Sequence, residues 1–136
     1  MKKLILFLLL LIPILVSADE IPGGLSSYPY ISTGTSVDSV LIKTGQARLF
    51  CIDVQNSDAA PIYLKFYNKA TAPTVGTDAV VYLKGVPATD GDIICLPKEA
   101  PKLFPLGMGI GITTSSASNS TAAVGAGDVT LTIFYK

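Results

Sequence analysis

An all-β fold is what this 136-residue sequence predicts: a single antiparallel β-sandwich of about seven strands, standing behind an N-terminal signal peptide. Three observations carry that expectation. Short runs rich in Val, Ile, Leu, Tyr and Thr, several of them alternating apolar and polar residues, recur at 36–43, 48–56, 61–67, 79–84, 92–96, 107–112 and 129–135. Clusters of Gly, Pro, Asn, Asp and Ser separate them, as turns require. No stretch of the predicted domain sustains a helical period. Many short strands at this spacing fit a sandwich of Ig-like or jelly-roll connectivity, and a closed barrel is the other architecture the pattern admits.

Residues 1–18 stand apart from the fold. Lys2 and Lys3 form a basic start, residues 4–16 are an almost unbroken apolar run, and Val16-Ser17-Ala18 offers short side chains to a signal peptidase, so the mature chain is expected to begin at Asp19. The apolar run is shorter than the roughly 20 residues that span a bilayer, and Pro13 interrupts it. A retained anchor is the alternative. The expected localisation is therefore exported: periplasmic, extracellular or on a particle surface. Without Lys2 and Lys3, eight basic residues face ten acidic ones, a net charge of −2. That balance lacks the clustered positive charge that a nucleic-acid backbone demands. The 118 residues that follow position 18 suit one compact domain.

An exported chain with an even cysteine count favours a disulfide, and Cys51 and Cys95 both fall within predicted strands. Closing that loop by chain entropy would stabilise the fold by about 4 kcal/mol. The other reading is two buried thiols packing as small apolar groups.

Residues 19–35, with Pro22-Gly23-Gly24 and Tyr28-Pro29-Tyr30, read as an extended N-terminal arm, leaving 36–136 as the sandwich domain. Within it, 36–43 and 48–56 flank Thr44-Gly45-Gln46 and look like a hairpin. Asn56-Ser57-Asp58 marks a turn, and Pro61 opens the next strand, where a missing N–H is tolerated. There Leu64 and Phe66 alternate with Tyr63, Lys65 and Tyr67, giving one apolar and one amphipathic face. A Pro, Gly and Thr-rich loop over 70–77 leads to the strand at 79–84, and 86–91 turns into a short strand carrying Cys95. Pro97, Pro101 and Pro105 read as loop constraints. Gly107, Gly109 and Gly111 share one face of the following strand, which calls for something bulky lying across it. Residues 114–121 form a polar loop that contains the glycosylation-type triplet Asn119-Ser120-Thr121, a pattern frequent by chance. The last strand, 129–135, fixes the C-terminal segment in the sheet.

Chemistry-bearing motifs are scarce. With no histidine in the chain, Ser-His-Asp and Cys-His catalysis have no base, and two cysteines alone are too few for a zinc site. Lys43-Thr44-Gly45 lacks the companion motifs of penicillin-recognising enzymes. The glycines around Met108 lack dinucleotide-binding spacing, and Asp90-Gly91-Asp92 supplies too few oxygens for calcium. The expectation is a protein that is not an enzyme, with no catalytic residues, no metal and no cofactor.

Arg48-Leu49-Phe50, Asn56, the block from Tyr63 to Asp78 (YLKFYNKATAPTVGTD) and the closing 122–136 segment resemble a group of short β-sandwich proteins of tailed bacteriophages. Members of that group are usually taken as virion structural or accessory proteins. The leader and the cysteine pair set this chain apart and suggest an exported version of the same module. The resemblance implies a non-enzymatic structural or surface module that self-assembles or decorates a larger particle, its partners being copies of itself or a larger protein assembly. Under it, Tyr63, Lys65 and Tyr67 with Thr71, Pro73 and Thr74 form the contact face, because tyrosine combines large contact area with a polar tip. The alternative is an exported carbohydrate- or ligand-binding domain that engages a cell-surface glycan, against which the absence of Trp weighs.

Overall fold

The computed structural model describes residues 24–34 and 36–136. The leader expected over 1–18 lies outside them, as do residues 19–23 of the arm. Nine strands run in chain order: β1 (Ser26–Ile31), β2 (Asp38–Thr44), β3 (Ala47–Asn56), β4 (Ile62–Asn68), β5 (Val80–Val86), β6 (Asp90–Cys95), β7 (Lys102–Phe104), β8 (Gly107–Thr113) and β9 (Val129–Tyr135). No helix occurs among the described residues. The first sheet has the order β1-β9-β3-β6, with β7 also paired to β3, and the second has the order β2-β8-β4-β5. All pairings are antiparallel. The fold is the expected all-β sandwich, with nine strands in place of about seven.

The pairing order decides the connectivity. β4 pairs with β5, β3 with β6, β2 with β8 and β1 with β9, while β1/β2, β3/β4, β5/β6 and β8/β9 each divide between the sheets. This is one long antiparallel hairpin, its tip between β4 and β5, rolled so that successive segments fall in alternate sheets. Such a roll is a jelly roll.

Two expectations change. The runs at 36–43 and 48–56 are not a hairpin, since β2 pairs with β8 and β3 with β9, β6 and β7. Gly45, at φ +72°, turns the corner between sheets, and its N–H donates to the Leu106 carbonyl at 3.1 Å. A turn signal reports that the chain reverses, not that the two arms pair. Secondly, the arm expected over 19–35 contains β1, an edge strand in register with β9 from Ser26 opposite Tyr135 to Ile31 opposite Thr130. Its end is fixed by Ser32, whose hydroxyl donates to the Gly125 carbonyl at 2.6 Å and accepts from the Val129 N–H at 3.1 Å.

Side chains at alternate positions fill the space between sheets. Leu49, Ile52, Val54, Leu131 and Ile133 come from the first sheet, and Ile62, Leu64, Phe66, Met108, Ile110 and Ile112 from the second; all are essentially inaccessible. Phe66 of β4 meets Phe104 of β7 with ring centroids 6.2 Å apart, a cross-sheet contact. Polar ties close both open sides. Tyr30 of β1 donates to Asp38 Oδ1 of β2 at 2.7 Å, and Lys84 of β5 pairs with Asp92 of β6 at 2.9 Å. Asn56 ties the crossings at one end. Its amide donates to the Ala60 carbonyl at 3.0 Å and the Pro87 carbonyl at 2.7 Å, and its oxygen accepts from the Asp58 N–H at 3.0 Å.

Cys51 and Cys95 are directly opposite on β3 and β6, with Cα atoms 4.1 Å apart and sulfurs at bonding distance. Of the two readings of the cysteine pair, the disulfide is the one the fold contains.

Candidate functional surface

The outward residues of β4 and β8 in the second sheet are roofed by the chain's own loops, while Leu83 of β5, opposite Lys65, is 43% exposed. On β4 and β8 these are Tyr63 opposite Thr113, Lys65 opposite Gly111 and Tyr67 opposite Gly109. The loop after β4 lies across the glycines. A Cβ on Gly109 would sit 2.7 Å from Pro73 Cδ, and one on Gly111 would collide with Val75 and crowd the Tyr67 ring. The bulky cover expected over the glycine face is therefore Pro73, Val75 and Tyr67. Ser39 of β2 holds this loop by donating to the Pro73 carbonyl. Lys69 and Asp78 bracket it with an ion pair of 2.6 Å, and Asp78 also accepts from the Thr74 N–H at 2.6 Å. Those contacts, that with Lys69 first, lower the Asp78 pKa.

A second loop, after β8, closes over Lys65. The Lys65 ammonium donates to the carbonyls of Ala117 at 2.6 Å and Ser120 at 3.2 Å, and the side chain is wholly inaccessible. Removal from water lowers its pKa below the ordinary 10.5. Tyr67 is buried beside it and its hydroxyl makes no hydrogen bond among the described residues. Burial, followed by the charge of Asp78, raises its pKa.

The contact face expected at Tyr63, Lys65, Tyr67, Thr71, Pro73 and Thr74 is corrected accordingly. The fold does bring these residues together, but Lys65, Tyr67 and Pro73 are buried, Tyr63 is half-buried, and only Thr71 and Thr74 are exposed. The polar alternation on β4 was legible. What it could not reveal is that the loop directly after β4 folds back over the sheet and that the loop after β8 returns to cover it, as the bond from Lys65 to Ala117, 52 residues on, shows.

The outer face of the first sheet is open. Register across β1, β9, β3 and β6 sets its side chains in rows: Ile31, Thr130, Gln55 and Gly91; Pro29, Thr132, Asp53 and Ile93; Ser27, Phe134, Cys51 and Cys95. One row further, Arg48 stands beside Leu103 of β7 and is hydrogen-bonded through its backbone to Lys136. Ile31 is 59% exposed and Ile93 71%. A shallow depression of about 190 Å³ is lined by Asp53, Gln55, Thr130, Leu131 and Thr132, and another of about 190 Å³ by Gln46, Arg48 and Lys136. Among the described residues, no three His, Cys, Asp or Glu side chains converge as a metal site, and no helix is long and apolar enough to cross a membrane.

No protein-family model, curated protein or solved structure matches the chain. The surface residues that sequence reasoning passed over are Asp53, Ile93 and Leu103. Alternation in β3 does place Asp53 and Gln55 together, but Ile93 and Leu103 join them only through the β3 to β6 and β3 to β7 registers.

Proposed function

We propose that this chain is a non-enzymatic structural or surface module, exported behind its leader, that assembles with copies of itself or decorates a larger particle. The observation that carries the reading is the contrast between the two sheet faces. The outward residues of β4 and β8 are covered by the chain's own loops, with Val81 and Leu83 of β5 exposed beyond that cover, whereas the first sheet carries Ile31 and Ile93 on a four-strand face that no loop covers. Ile31 and Ile93 stand on the two edge strands of this face with Thr130, Thr132, Gln55 and Asp53 between them, and exposed apolar side chains among polar ones on an uncovered face fit contact with another protein. Jelly rolls serve as capsid, lectin and cupin domains, so the topology agrees with the reading without deciding it. The similarity of the 63–78 block to phage virion proteins supports the particle-building version, and the disulfide suits an oxidising compartment.

The test is production with the native leader in a bacterial periplasm, followed by intact mass and size exclusion. The reading expects a chain beginning at Asp19, two hydrogens lighter than its reduced form, eluting as discrete oligomers. An unprocessed chain would contradict the export half.

A second reading, carbohydrate or ligand binding, is favoured by the depression bounded by the Asp53 carboxylate, the Gln55 amide and the Thr130 and Thr132 hydroxyls. These groups donate to and accept from ligand hydroxyls. A glycan array probed with the monomer, and again with Asp53→Ala, tests it: binding lost in the variant would favour this reading.

A further inference from the structure

We infer that the open face of the first sheet docks against the same face of a second copy, related by a two-fold axis that crosses the strands at the level of Phe134 and the Cys51–Cys95 bridge. The inference rests on the self-assembly reading and names the surface and the symmetry.

The face is self-complementary under that axis. Along β9 the outward rows at Thr132, Phe134 and Lys136 are evenly spaced, and their neighbours on β3 are Asp53, Cys51 and Arg48. The irregularity between Leu49 and Cys51 keeps Arg48 in step with the outward row. On the far side of β3, Ile93 shares the row of Asp53, and Leu103 shares the row of Arg48. An axis in the plane of the interface and perpendicular to the strands reverses direction along each strand while keeping β3 over β3 and β9 over β9. Placed at the Phe134 row, it sets Asp53 over the partner's Arg48 and Ile93 over the partner's Leu103, each contact occurring twice. Opposite charges meet opposite charges and apolar meets apolar, as an isologous interface requires. Arg48 is exposed, as is Asp53, and Ile93 and Leu103 are 71% and 43% exposed, so none of the four is already enclosed by its own chain.

The geometry also bears on the other candidate modes. Direct strand addition at the β1 edge of the first sheet meets Pro29, which has no N–H to offer, in the middle of that strand, and the opposite edge is divided between the short strands β6 and β7. The edges of the second sheet are interrupted by irregularities in the β2 and β5 pairings. Face-to-face docking avoids both obstacles. Four strands and a handful of rows give a face only about 20 Å on a side, at the small end of specific interfaces, so association should be reversible and concentration-dependent.

Sedimentation equilibrium of the mature, oxidised chain tests this. The native protein should show a reversible dimer. Ile93→Asp, at an exposed position, should weaken dimerisation at least about ten-fold with its thermal midpoint unchanged. Asp53→Arg and Arg48→Asp should each weaken it, by juxtaposing like charges, and the double exchange should restore it. Oligomers that survive all three single substitutions would overturn the proposed face while leaving self-assembly standing. A monomer at every concentration would overturn both.

Discussion

At the scale of single residues, the fold depends on a few polar side chains that tie strand ends together. Asn56 is fully buried and serves both inter-sheet crossings at its end of the roll. Replacing it with Ala leaves two carbonyls and the Asp58 N–H without that partner, and should destabilise the protein by about 2–4 kcal/mol in urea unfolding. A loss within experimental error would mean that water enters and replaces the amide. Lys65 gives a pH signature. Burial lowers its pKa below 10.5, so between the folded value and 10.5 the unfolded chain holds a proton the folded chain has shed. Stability contributed by this group therefore rises with pH through that window. The unfolding free energy of the native protein minus that of Lys65→Met should climb from neutral pH towards 10.5. Tyr30 and Tyr67, whose phenols are held above the ordinary 10.0 chiefly by burial, pull the other way above that pH, but both are common to the two proteins and their effect largely cancels. A flat difference would show that the ammonium is solvated.

At the scale of elements, strand existence was legible wherever apolar residues recurred without interruption, as in β3, β4 and β9. It was not legible in β1, where Ser26, Ser27 and Pro29 dilute the pattern, or in β7, three residues set among prolines. Pairing was less legible still. The Thr44-Gly45-Gln46 corner has hairpin chemistry yet joins strands of different sheets, because both β2 and β3 satisfy their hydrogen bonds elsewhere. β8 shows what composition can disclose: its glycines announced a close approach, and Pro73 and Val75 make it. Gly111→Ala should cost about 1–3 kcal/mol, since the added methyl must displace Val75 or the Tyr67 ring, and should increase proteolysis within 69–79. Unaltered stability would mean that the loop lifts without cost. The Cys51–Cys95 bridge closes a loop of 44 residues and fastens edge strand β6 to β3. Cys51→Ser with Cys95→Ser should lower stability by about 2–4 kcal/mol, read from chemical unfolding with and without reductant. Equal stability would assign holding the edge to the β3–β6 hydrogen bonds alone.

At the scale of the whole molecule, the sandwich followed from strand number and turn spacing, whereas the choice of a jelly roll over an Ig-like arrangement required the pairing order. The candidate surface was legible only in part for the same reason. Residues that alternate within one strand were grouped correctly, but whether a face is open or roofed depends on how the loops after β4 and β8 fold back over it. Hence Lys65 and Tyr67 proved to be enclosed, while Asp53, Ile93 and Leu103 form the exposed surface. A roll whose β4 and β8 surface is covered by its own loops is proposed here to work through the open face of the first sheet, by assembling. The most direct test is the light-scattering mass of the mature, oxidised chain as concentration rises. A weight-average mass that climbs reversibly to a whole multiple of the protomer is expected. A mass that stays at one protomer throughout would contradict assembly.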